Sequence, residues 1–237
     1  MEWLDRVLRE QYQQVGILKV TDEKCIFHLR HKTLGTDLVW KTFPGSGEAY
    51  RCLMGISHPH LPRIFEVQEE NGRCTVLEEY IDGITVSEIL ESGLYTEEGA
   101  SLIGVCLCDA LSLLHEQGFV HRDVKPENVT VDNNGRILLM DFDICRRFKR
   151  SQTADTQAIG TAGYAAPEQF GMAQSDCRTD IFSMGILLNA MVTGEHPSRK
   201  MAKGRLGRVI DRCIQVDPDK RYQTAEKLKR ALTLLTQ

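Results

Sequence analysis

The sequence predicts an α+β protein of two lobes, a small antiparallel β lobe carrying one helix and a larger, mainly helical lobe. Two observations lead there. Strand-like runs dominate from about Val15 to Ile81, and helical periodicity replaces them after Asp82-Gly83. The change falls at a single short connection, so 237 residues divide into a single two-lobed domain, 1–237, with a cleft between lobes as the expected ligand site.

The elements follow in order. Residues 1–14 read as a short amphipathic helix with Trp3, Leu4, Val7 and Leu8 on one side. Residues 15–82 form the first lobe. VGILKV, CIFHLRHKTL and LVWKTF are three strands separated by TDEK and GTD. Pro44-Gly45-Ser46-Gly47 breaks the pattern before a helix from about Glu48 to Ile56, and two further strands flank the turn Glu70-Asn71-Gly72. Residues 83–237 form the second lobe. Thr96-Glu97-Glu98 starts a helix, VTV and RILLM flank a turn at Asp132–Gly135, and residues 144–165 form a polar loop. IFSMGILLNAMV, apolar nearly all round, is a buried helix, and amphipathic helices near 205–215 and 223–235 close the chain.

Composition narrows the function. The 29 basic and 33 acidic residues give a formal charge of -4, against a dedicated nucleic-acid binder. No run of about 18 apolar residues suggests a membrane span, and the N-terminus is too charged for a secretory signal. The eight cysteines include no CxxC pair and read as reduced thiols of a cytoplasmic protein. His58-Pro59-His60 has no neighbours to complete a ligand set and reads as a loop entering a strand.

The decisive stretch is His121-Arg122-Asp123-Val124-Lys125-Pro126-Glu127-Asn128, followed by Asp141-Phe142-Asp143 and Ala166-Pro167-Glu168. Three motifs in this order resemble those of the protein kinases, and VHRDVKPEN and GYAAPEQF resemble the bacterial Ser/Thr kinases of eukaryotic (Hanks) type. The resemblance covers nearly the whole chain and implies the kinase fold, ATP and Mg2+. Phosphoryl transfer needs an oriented hydroxyl, metal ions on the phosphates and cations to absorb charge. The resemblance implies that Asp123 handles the hydroxyl proton, Lys125 meets the transferring phosphate, and Asn128 and Asp141 hold Mg2+. The resemblance likewise implies that Lys41 is the β-strand lysine that contacts ATP, with Glu48 as its candidate partner, and that Glu79 and Ile81 supply the hinge backbone for adenine. Glu78 falls at the position behind the adenine pocket with Lys41 as one possible partner; a shift of one residue would place Leu77 there instead. Thr161 belongs beside the catalytic aspartate, Glu168 pairs with Arg221, and Asp180 holds the backbone of the 121–123 loop. Arg122 implies a switch in which a phosphate on Thr153 or Thr156 bridges it to the loop.

Three departures stand against that pattern. The first turn, Thr21-Asp22-Glu23-Lys24, has no glycine where the family has its phosphate-covering loop. Asp143 replaces the glycine of the metal motif, a position where an aspartate tolerates positive φ. Glu48 follows the third strand unusually closely. The expected activity is transfer of the ATP γ-phosphate to Ser/Thr hydroxyls of protein substrates whose identity the sequence leaves open. The alternatives are a pseudokinase acting as a nucleotide-binding or nucleotide-independent regulatory module, and a small-molecule phosphotransferase. The APE motif and long preceding loop weigh against the last, because they resemble a protein-substrate platform.

Overall fold

The structure is a computed structural model that describes residues 8, 10–148, 161, 163–170 and 174–236. Its contacts divide the chain into two compact units, one of residues up to His58 with Pro62–Asp82, the other of Pro59–Leu61 with Gly83 onward.

The first unit is a five-stranded antiparallel sheet in the order β1-β2-β3-β5-β4. β1 is Tyr12–Val20, β2 Cys25–His31 and β3 Asp37–Pro44; helix α1, Glu48–Leu53, follows, then β4 Ile64–Glu70 and β5 Arg73–Glu79. Tyr12, Gln13 and Gln14 pair with His31, Arg30 and Leu29, so β1 takes residues 12–14 that the sequence reading gave to the N-terminal helix. Residues 1–7 and 9 of that helix lie outside the described residues. β2 stops three residues short of Leu34, because the chain turns back at Gly35 with φ 67°. β4 and β5 meet at Asn71-Gly72, both at positive φ, as a two-residue hairpin requires.

Strand alternation gives the sheet two apolar faces. Val39, Lys41, Phe43, Cys74, Val76 and Glu78 share one, all buried, and Tyr50 of α1 packs there against Phe43. A Cβ on Gly47 would come within 2.7 Å of Cys74 Sγ, so only glycine lets the chain enter α1 this closely. The opposite face carries Leu29, Leu38 and Leu77, with Leu8, Tyr12, Phe27 and Trp40 against them.

The second unit opens with β6, Gly83–Thr85, which pairs with β8, Val129–Asp132; β8 forms a hairpin with β9, Ile137–Leu139. His60 joins this unit by accepting the Leu139 amide on its carbonyl, with its ring Nδ1 2.8 Å from the Ile137 carbonyl. Helix α2, Val86–Ser92, begins with a capping box of Thr85 and Glu88. Helix α3, Glu97–Glu116, is capped by Thr96. Among the described residues α3 is the one helix long and apolar enough to cross a membrane by length and composition alone, and half of its most apolar stretch is buried inside the protein. It packs on α4, Cys177–Thr193, and α6, Ala225–Thr233. α4 buries 13 of its 17 residues. A Cβ on its Gly185 would meet Cys213 of α5, Gly204–Cys213, at 2.6 Å. Two short strands, β7 (Phe119–Val120) and β10 (Arg146–Arg147), pair across the intervening loop.

Candidate active site

The segment after β7 has little regular structure of its own and is held from beneath. Asp180, fully buried in the first turn of α4, accepts the amides of His121 at 2.9 Å and Arg122 at 2.8 Å. His115 Nε2 lies 2.7 Å from the same carboxylate. Burial raises the pKa of Asp180, but the His115 hydrogen bond and charge and the captured Arg122 amide outweigh it, so the carboxyl stays below its ordinary value. Gln169 donates to the Arg122 carbonyl at 3.0 Å and accepts the Ala166 amide, which joins the loop to the Ala166-Pro167-Glu168 stretch. Arg122 sits at φ 67°, a left-handed backbone unusual for a side chain of its size. His121 is buried edge-on against Phe142, with burial as the main cause of a lowered pKa.

This anchoring presents Asp123. Thr161 Oγ1 donates to Asp123 Oδ1 at 2.6 Å, and Asn128 Nδ2 donates to Oδ2 at 2.8 Å. Lys125 Nζ lies 2.8 Å from Oδ2 and 2.6 Å from the Thr161 hydroxyl. An acid, an ammonium and a hydroxyl thus meet around one point, from residues 36 and 38 positions apart in sequence. Such a group can orient an incoming hydroxyl, take its proton and offset charge on a transferring phosphate.

The Asn128 side-chain nitrogen also donates to the Asp123 carbonyl at 2.8 Å, so its amide oxygen is the atom left for a cation. Asp141 offers a carboxylate from a left-handed residue, φ 65°. The positive φ of this stretch belongs to Asp141 and not to Asp143, where the sequence reading placed that tolerance. The local reason is that the chain turns immediately, with the Cys145 amide bonded to the Phe142 carbonyl and Phe142 buried on His121. Among the described residues no three His, Cys, Asp or Glu side chains could hold a metal by themselves. One carboxylate and one amide oxygen fit Mg2+, which keeps waters and takes its remaining oxygens from substrate phosphates.

In the first unit, Lys41 and Glu78 form a buried ion pair at 2.9 Å, and the Lys41 ammonium stands 4.4 Å from the centre of the Tyr50 ring. Glu48 heads α1 and is exposed, and Glu78 of β5 brings a carboxylate to Lys41. Leu77, the other candidate for that inward position, belongs to the opposite face. The Glu79 amide donates to the Arg63 carbonyl at 2.8 Å, and Ile81 follows, half-buried. The Thr21–Lys24 turn closes with the Thr21 amide on the Lys24 carbonyl.

Farther from Asp123, Arg221 meets Glu168 through two bonds of 2.7 and 3.0 Å, with the arginine fully buried. Thr179 adds a third donor to Glu168, and the carbonyls of Arg178, Gln215 and Val216 take up the remaining guanidinium hydrogens. Arg122 is buried and donates twice to the Ile144 carbonyl. Thr153 and Thr156 lie outside the described residues. Sequence reading missed His115, Gln169, Thr179 and Tyr50. Only His115 had a signal, as a polar residue facing inward just before the catalytic stretch.

Capture of a loop's amides by a buried carboxylate, beneath an acid shared with an ammonium and a hydroxyl, is the arrangement of the protein-kinase class of phosphotransferases. Comparison makes this specific: a family model of the protein kinase domain matches residues 48–235, and the chain belongs to that family. It is 31% identical over 202 residues to a probable serine/threonine-protein kinase of Clostridium perfringens, covering 75% of this chain and 30% of that protein. Serine/threonine-protein kinase PknB of Mycolicibacterium smegmatis is 31% identical over 208 residues, 75% of this chain and 33% of the relative. A probable serine/threonine-protein kinase of Corynebacterium efficiens is 37% identical over 150 residues, 60% of this chain and 23% of the relative. The chain therefore spans about a third or less of the length of these relatives.

Proposed function

We propose that the chain transfers the γ-phosphoryl group of ATP, with Mg2+, to serine or threonine hydroxyls of protein substrates. The observation that carries this reading is the Asp123–Lys125–Thr161 group, whose three side chains converge within 2.8 Å of one another. Asp123 takes the proton of the acceptor hydroxyl as the new O–P bond forms and the bond from phosphorus to the ADP oxygen breaks. Lys125 offsets charge on the moving phosphoryl group. Thr161 holds the Asp123 carboxylate in place, and its side of the site receives the substrate segment. Asn128 and Asp141 would hold Mg2+, which would supply positive charge to neutralise the phosphates. Lys41 contacts the nucleotide phosphates, and the backbone at Glu79 and Ile81 takes the adenine. The relatives' names support serine and threonine as acceptors. A cytoplasmic setting is supported by eight free thiols, of which Cys108 and Cys213 are buried deeply enough to push their pKa values up.

The test is incubation with labelled ATP and Mg2+ in the presence of a generic protein acceptor. Wild type should label Ser and Thr, and Asp123→Ala should not. Equal labelling by the two would remove the assignment.

A further inference from the structure

Lys41 and Glu78 are a pair of opposite charges taken almost wholly out of water, with side chains 3% and 5% exposed and 2.9 Å between the charged atoms. Isolated burial of either charge would be costly, so each depends on the other. The geometry comes from the sheet. Lys41 lies opposite Val76 and Val39 opposite Glu78, so the two charged residues are diagonal neighbours on one face of adjacent strands. Their separation is set by the ladder between β3 and β5. α1, six residues long, brings the fully buried ring of Tyr50 to the lysine. Glu48 is exposed at its start.

We infer that Glu78 is the positioning residue for Lys41, its place set by the ladder between β3 and β5. This rests on the reading of Lys41 as the ATP lysine. A lysine anchored across a β ladder keeps its place for as long as the sheet exists. Glu78 touches neither nucleotide nor acceptor in this role and acts through Lys41.

A double-mutant cycle on the full chain tests this, with kcat and KM for ATP measured well below the melting temperature of each variant. Glu78→Gln should lower kcat/KM for ATP by about 10²-fold, the usual effect of a reacting group displaced by an ångström. Glu78→Asp should recover part of the loss. In a Lys41→Met background, Glu78→Gln should have no further effect, because there is no lysine left to position. A fourth protein, Lys41→Met with Glu78→Met, replaces the pair by apolar side chains of similar length; it should fold, and should match Lys41→Met alone. If Glu78 were only structural, Glu78→Gln would lower the melting temperature and leave kcat/KM unchanged. That result, or losses that add across the cycle, would overturn the inference while leaving the kinase reading intact. A wild type that neither transfers phosphate nor shows a melting shift with Mg-ATP would overturn both.

Discussion

The two units hold their charged residues in opposite ways. In the second unit, the candidate site sits on irregular backbone held by buried side chains: Asp180 under the His121 and Arg122 amides, Gln169 on the Arg122 carbonyl, and Arg221 on the Glu168 carboxylate. In the first unit, Lys41 sits on regular strand, and regularity itself places it beside Glu78. The first solution needs particular residues at many separated positions, and most of them belong to the motifs that identify the family. The second needs only a sheet and one matched pair, so the rest of the unit is free to differ, down to a first turn without glycine. A strand ladder can set a charged pair through its register alone. It has no equivalent for anchors that hold a loop.

The sharpest way to break this comparison is at Asp123. Asp123→Ala should cost about 10²–10⁴-fold in phosphate transfer, the usual worth of a positioned acid–base group. Its melting shift with Mg-ATP should stay nearly that of wild type, whereas Asp141→Ala should lose much of the shift. Robust transfer by both variants would separate the anchored loop from the chemistry.

Next in size is the anchor between Glu168 and Arg221. Glu168→Ala strands a fully buried guanidinium and should destabilise the protein by about 3–5 kcal/mol, read from the midpoint of urea unfolding. A change within about 0.5 kcal/mol, as at an ordinary surface site, would show that the second unit does not depend on such anchors.

Metal removal should have a graded effect confined to the nucleotide. Without glycine amides in the Thr21–Lys24 turn, ATP depends more on Lys41 and on the Mg2+ ligands Asn128 and Asp141. Chelation should abolish most of the ATP-induced melting shift without changing the melting temperature of the free protein. An undiminished shift would mean that the first unit grips the nucleotide unaided.

The smallest expected effect concerns pH. The Asp180 carboxyl is held below its ordinary value of 3.8, so its contribution is full above that value and is lost as pH falls through the lower folded-state value. Asp180→Asn should flatten the acid limb of the stability curve below about pH 4, with little change in its slope near neutrality. An unchanged acid limb would place the loop's support elsewhere.

Legibility in the sequence followed the same division. The motif residues of the second unit, from Asp123 to Arg221, were readable because each residue type is demanded by a specific chemistry or anchor. Helix α3 was readable from its start signal and periodicity, and α4 from a run that is apolar nearly all round. The Lys41 partner was not, because it depends on the register between β3 and β5, and local pattern does not report register across an intervening helix and strand. Lys41 was therefore only one possible partner for Glu78, and Glu48 stood as the candidate on the helix after the third strand. Tyr50 and Gln169 resembled ordinary core and loop residues, since what makes them matter is a neighbour distant in sequence. The left-handed residue of the Asp141-Phe142-Asp143 stretch was misplaced because composition suggests where positive φ is tolerated, while packing of Phe142 decides where it occurs.

The capture of the His121 and Arg122 amides by Asp180 has a consequence for exchange with solvent deuterium. Amides in loops usually exchange through small, frequent openings. These two point into a fully buried carboxylate at the root of the most buried helix, and freeing them requires Asp180 to leave its pocket. Their protons should exchange as slowly as those in the middle of α4, and far faster exchange should return at Gly163 and Tyr164. The stretch that lacks regular structure is thus, on the timescale of hours, part of the protein's rigid interior.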